Sequence, residues 1–132
     1  MSLTSLRTAS SLWHDVLVAV GPYRPHTMLV GPPEETEAFV EALREDLVGP
    51  ICTVDGASVC EFPNHARTII LRNLDALDTP GQRALMDRID SSKGLQIVSL
   101  AEQAPFSRVQ RGLLLEALYR RLSLIYLETS GN

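Results

Sequence analysis

Short apolar runs, each too brief for a helix, recur along this chain between stretches of helical spacing. The first is His26-Thr27-Met28-Leu29-Val30-Gly31. Ile51 to Val54, Thr68-Ile69-Ile70-Leu71, Leu95 to Leu100 and Leu122 to Leu127 follow. Runs of this length bounded by Gly and Pro read as buried strands. Between them, Phe39, Val40, Leu43 and Leu47 share one helical face, and so do Leu85, Met86 and Ile89. Strands alternating with helices imply a largely parallel sheet covered on both faces, a three-layer αβα sandwich.

The punctuation agrees with that alternation. Leu3, Leu6, Trp13, Val16, Leu17 and Val20 predict an N-terminal helix over 1–21, closed by Gly21-Pro22. Glu34 and Glu35 fall in the first turn of the next helix, where they complement its dipole. Thr79-Pro80-Gly81-Gln82 has the form of a helix start with Thr79 as N-cap. Ser107 is expected to cap a helix carrying Val109, Leu113, Leu114, Ala117 and Leu118, with a break at Gly112. Asp55 to His65 reads as loop. The predicted core includes Leu29, Phe39, Leu43, Ile70, Leu71, Leu85, Ile97, Val98, Leu118 and Ile125.

A chain of 132 residues suits one domain, here with a core over 26–127, and can bury that core without disulfide or metal. The net charge of −4 argues against direct nucleic-acid binding. No apolar run reaches membrane-spanning length, and the N-terminus has no secretory pattern, so a cytoplasmic protein is expected. Cys52 and Cys60 have no CxxC partner, so no metal is expected and buried free thiols are the default reading.

In such folds ligands sit where strands give way to helices, at their carboxyl ends. The first of these turns is Gly31-Pro32-Pro33-Glu34-Glu35-Thr36. A phosphate loop needs converging backbone N–H groups, a lysine and a Ser or Thr for magnesium. This turn has one glycine, two prolines without N–H, two glutamates and only Thr36 as hydroxyl. The sole lysine of the chain, Lys93, lies far along the sequence. After the third run, Arg72 and Asn73 stand where an NTPase carries carboxylates, and Asp75 follows two positions later.

Several segments in order resemble the AAA+ domain of sigma-54-dependent transcription activators. Ile51-Cys52-Thr53-Val54-Asp55-Gly56-Ala57 is similar to the family's "VNCAA" strand. Thr68 to Leu77 resembles the Walker B stretch "TLFLDEIGEL", and Leu95-Gln96-Ile97-Val98-Ser99 resembles "VRIIAATN". The segment from Gly112 to Ser123 is similar to "GRFREDLYYRLN". The match runs over nearly the whole chain but covers only the family's α/β subdomain.

The resemblance implies a P-loop NTPase-like, five-stranded sheet in the order 5-1-4-3-2, without the helical lid. It places the nucleotide site at Gly31, Thr36 and Asp75. The departures fall on the chemistry. The Walker A Gly-Lys-Ser/Thr is absent, and Arg72-Asn73 replaces the Walker B Asp-Glu pair. Glu102 stands near the sensor asparagine position, Leu115 takes one arginine-finger position, and Arg121 keeps the second. The "GAFTGA" loop has no counterpart.

These readings lead to a non-catalytic, AAA+-derived regulatory or protein-interaction module with no catalytic residues and no cofactor. The resemblance implies an interaction face of Arg108, Arg111, Arg120 and Arg121. Its partner would be a second copy, through Glu34, Glu35 and Glu37, or a functional AAA+ protein. The alternative is a residual ATP-binding domain of a sigma-54-interacting regulator, holding ATP with magnesium weakly. A third reading, an unrelated enzyme, would draw on Cys52, Cys60, His14, His26, His65 and Asp55. The second strand should form a sheet edge, either covered by Asp55–His65 or used for self-association.

Overall fold

The computed structural model describes residues 25–58 and 61–129. The expected N-terminal helix over 1–21 lies outside the described residues. Five strands form one parallel sheet: β1 (Thr27–Val30), β2 (Ile51–Asp55), β3 (Thr68–Arg72), β4 (Gln96–Ala101) and β5 (Ile125–Glu128). Their order is β2-β3-β4-β1-β5, the order that the resemblance implied. The helices are α1 (Pro33–Leu43), α2 (Thr79–Ser91), α3 (Phe106–Gln110) and α4 (Glu116–Leu122).

Alternation along the strands sorts side chains into two cores. Leu29, Ile70, Val98 and Leu100 meet Phe39, Val40 and Leu43 of α1 on one face. Met28, Val30, Ile69, Leu71 and Ile97 meet Leu85 of α2 and Leu118 and Leu122 of α4 on the other. Every residue of β1 and β4 is buried, whereas the outer strands β2 and β5 are only partly so. A continuous apolar run is therefore the mark of a central strand.

Four local expectations are corrected. Asp78, not Thr79, caps α2: its Oδ1 accepts the Gly81 N–H at 2.8 Å, and Thr79 and Pro80 fall inside the helix. Asp is a strong N-cap, and it stood one residue upstream of an equally plausible Thr. Ser107 lies within α3 and bonds back to the Ala104 carbonyl, while Pro105 takes the cap position. Leu122 ends α4 in the core, so the last strand begins only at Ile125. Ile125 itself is partly exposed, because β5 is an edge strand covered less completely than the centre.

The segment after β2 packs on the α2 side. Phe62 and Ala66 enter that core, and Arg88 of α2 donates to the carbonyls of Pro63 (2.9 Å) and Asn64 (2.6 Å).

Candidate functional site

At the carboxyl edge of the sheet, β1 passes into α1 through two residues, Gly31 and Pro32. The Pro32 carbonyl accepts the N–H groups of Glu35 (2.9 Å) and Thr36 (3.1 Å). Pro32 and Pro33 have no N–H to offer. The turn is therefore closed onto its own helix and has no arc of amides aimed outward. Thr36 is buried, and its hydroxyl donates to the Pro33 carbonyl at 3.3 Å. Gly31 is required by a close approach: a Cβ there would lie 2.1 Å from Thr129 Oγ1. Thr129 in turn donates to Glu35 Oε1 at 3.2 Å, tying the end of β5 to the start of α1.

A groove of about 300 Å³ opens beside this turn. Gly31 and Thr36 line it, together with Glu37, Asp55, Arg72 and Glu102. Arg72, the last residue of β3, makes a two-pronged bridge to Glu37 of α1: Nε to Oε2 at 2.7 Å and Nη2 to Oε1 at 2.8 Å. Asn73 follows in the left-handed region, φ 59° and ψ 48°, and turns the chain into a short 3₁₀ segment, Leu74–Ala76. That conformation suits Asn better than most residues.

Asp75 does not line the groove. Its Oδ2 accepts the Glu102 N–H at 3.2 Å and so joins the exits of β3 and β4; its Oδ1 is buried without a partner. Asp55 is also partly committed, since its Oδ1 accepts the Ala57 N–H at 2.8 Å. Of the three residues marked for a nucleotide site, the fold brings Gly31 and Thr36 together and sets Asp75 aside.

The four arginines separate into two pairs. Crossover helices run antiparallel to the strands they join, so the far end of α4 lies at the amino edge of the sheet. There Arg121 bridges Asp90 of α2, and Arg120 pairs with Glu116 one turn back at 2.5 Å. Arg108 and Arg111 stay near the carboxyl edge, by α3. Exposed Phe106 and Leu113 flank them, and Phe106 packs on Tyr119 with ring centroids 5.8 Å apart.

The Cys and His candidates divide as well. His14 and Cys60 lie outside the described residues. His26 Nδ1 accepts the Ile97 N–H at 2.9 Å, which requires the neutral ring. Burial, reinforced by the Arg121 charge, lowers its pKa to about 4. Cys52 is half-buried rather than buried, and its Sγ lies 3.6 Å from His65 Nε2. Among the described residues, no group of His, Cys, Asp and Glu could hold a metal ion, and no helix is long and apolar enough to cross a membrane.

Sequence reasoning missed Gln82. Its Nε2 donates to the carbonyls of Leu77 and Leu113, both at 2.9 Å, and its Oε1 accepts the Leu115 N–H at 2.8 Å. The residue clamps the α3–α4 connection to α2. The signal was present, since Gln82 lies on the same helical face as Leu85, Met86 and Ile89.

No family profile matches the sequence, and no curated protein is similar to it at a significant level. Solved structures do match. NtrX from Brucella abortus in complex with ATP superposes with a TM-score of 0.72 at 18% identity, over 99% of this chain and 36% of that one. Its ADP complex gives 0.68 at 16%, over 98% and 36%. The Thermotoga maritima RuvB Holliday junction branch migration motor gives 0.61 at 16%, over 97% and 45%. The fold is that of the AAA+ P-loop NTPases, and this chain spans about a third of the length of the NtrX chain.

Proposed function

We propose that this chain is a non-catalytic AAA+-derived module that acts through protein contacts, related to the sigma-54-dependent regulators and working in the cytoplasm. The observation that carries the reading is the β1–α1 turn. Gly31-Pro32 is too short to wrap a phosphate, and its carbonyl already takes the amides of Glu35 and Thr36. The Arg72–Glu37 bridge reinforces it, because a cation stands at the strand end where an NTPase places carboxylates. Likeness to NtrX, a sigma-54 activator, supports the kinship.

Arg108 and Arg111, with exposed Phe106 and Leu113, form the contact face in this reading. It would meet an acidic surface on a second copy, around Glu34 at the start of α1, or on a functional AAA+ protein; Glu37 is already held by Arg72. Arg120 and Arg121 are left out of that face, since they are paired within the chain at its other end.

The competing reading is a residual ATP-binding domain. It draws on the ATP-bound NtrX fold and on the groove at the strand ends. Calorimetry with ATP and magnesium, run beside a phosphate-release assay, separates the two. The expected result is no turnover and a dissociation constant no tighter than about 1 mM, or about −4 kcal/mol. Micromolar binding would establish the second reading instead.

A further inference from the structure

We propose that a basic cavity at the amino edge of the sheet binds a compact phosphate anion, as the inorganic ion or as the phosphate of a small ester. The cavity holds about 410 Å³ and is lined by His65, Arg67, Arg88 and Lys93, with Asn64 and Ser92 beside them. That volume suits a small ligand. The cavity lies at the opposite end of the strands from the Arg72 groove and does not depend on the reading given above.

The fold assembles this cavity from three directions. Pro50, Arg67 and Leu95 line it, and each stands just before a strand: β2, β3 and β4. Those strands are parallel neighbours, so their starts lie side by side. The last turn of α2 brings Arg88, and the turn after it brings Ser92 and Lys93. Arg88 is fixed before any ligand arrives, since its Nε donates to the Pro63 carbonyl at 3.1 Å and its Nη2 to the Asn64 carbonyl at 2.6 Å. These bonds leave Nη1 for a ligand.

The charge points to an anion. Two arginines and the sole lysine of the chain line the cavity with no carboxylate among the described residues, although acidic residues outnumber basic ones by 16 to 12. Arg44, Arg72, Arg120 and Arg121 each bridge a carboxylate, whereas Arg67 and Lys93 form no ion pair with a described residue. Arg88 and Lys93 lie at the end of α2, where cations also complement the helix dipole. Arg67 belongs to another element, and it turns a charged helix end into a cationic pocket.

Phosphate fits this arrangement better than carboxylate. Its tetrahedral oxygens can meet donors arriving from several sides, while a carboxylate offers two oxygens in one plane. His65 adds a donor without adding charge. The neutral ring whose Nε2 accepts the Cys52 S–H, at 3.6 Å, carries its own proton on Nδ1. Apart from Pro50, Ala66 and Leu95 the lining is polar or glycine, which favours a compact anion over one carrying a ring or an acyl chain.

Calorimetry on the full chain at low ionic strength, with inorganic pyrophosphate and with glycerol phosphate, tests the site. At least one of them should bind with a dissociation constant tighter than about 1 mM, and added chloride should weaken it. Arg67→Gln and Lys93→Gln should each weaken binding about tenfold or more. Both side chains are exposed. These variants should therefore keep the melting temperature of the ligand-free protein and lose only the rise that ligand confers. Arg83→Gln removes the same charge from an exposed position of α2 outside the cavity, and it should leave binding unchanged. Citrate should bind more weakly than pyrophosphate. Binding of neither phosphate, or equal losses in all three variants, overturns the site. Citrate binding as tightly as pyrophosphate overturns its assignment to phosphate.

Discussion

The Arg72 guanidinium grips the Glu37 carboxylate through two parallel hydrogen bonds, joining the last residue of β3 to the middle of α1 across the mouth of the groove. The two residues are 35 positions apart in the chain. Both side chains remain well exposed, at 47% and 38%, so water screens the attraction. A double-mutant cycle of Arg72→Ala and Glu37→Ala should return a coupling of no more than about 1 kcal/mol by urea unfolding. A much larger value would mean that the bridge is more desolvated in solution than its exposure indicates.

Gln82 is a different case, because it is buried and every polar atom of its side chain is bonded. Gln82→Met keeps the volume but strands the Leu115 N–H and two carbonyls. The loss should be about 2–4 kcal/mol in unfolding free energy. Proteolysis within the α3–α4 connection should also become faster, since the clamp on Leu113 and Leu115 is gone.

Gly31 and Thr129 should behave as a coupled pair. Gly31→Ala drives a methyl into Thr129 Oγ1 and is expected to cost about 1–3 kcal/mol. Thr129→Ala removes that oxygen, so the double variant should recover part of the loss. Strict additivity in thermal unfolding would show that the clash is relieved elsewhere.

His26 sets an acid limit on stability. Its pKa falls from 6.5 to about 4 on folding, since desolvation of the partly buried ring and the nearby Arg121 charge both resist a proton. Between those values the unfolded chain binds the proton and the folded one does not, so stability rises with pH there. Full stability is expected above pH 6.5, with a decline of about 2–3 kcal/mol as pH falls toward 4 and no further loss from this group below that. His26→Gln should flatten that part of the profile in urea titrations at stepped pH.

Much of the fold could be read locally because burial on both faces leaves a local trace. Met28-Leu29-Val30 and Ile69-Ile70-Leu71 have no polar alternation, and both lie in central strands. The β5 boundary was harder. Leu122 and Ile125 are equally apolar, yet one ends a helix in the core and the other starts an edge strand. Composition along the chain cannot separate them, since the difference lies in what packs above each. The site was legible in part for a related reason. Two prolines and no lysine in the first turn are chemical facts at any conformation.

By itself, then, the sequence determined which groups are present: strand-length apolar runs, the proline-bearing turn, and Arg72 where a carboxylate would serve an NTPase. Only the tertiary structure decided which groups meet. It set Asp75 against the Glu102 amide rather than in the groove, and drew Arg121 to Asp90 while Arg108 stayed near the other edge. It also brought His65 to Cys52. Such contacts depend on where the parallel crossovers return the chain, and hydrogen bonds and ion pairs act over a few ångströms in space however distant the residues are in sequence.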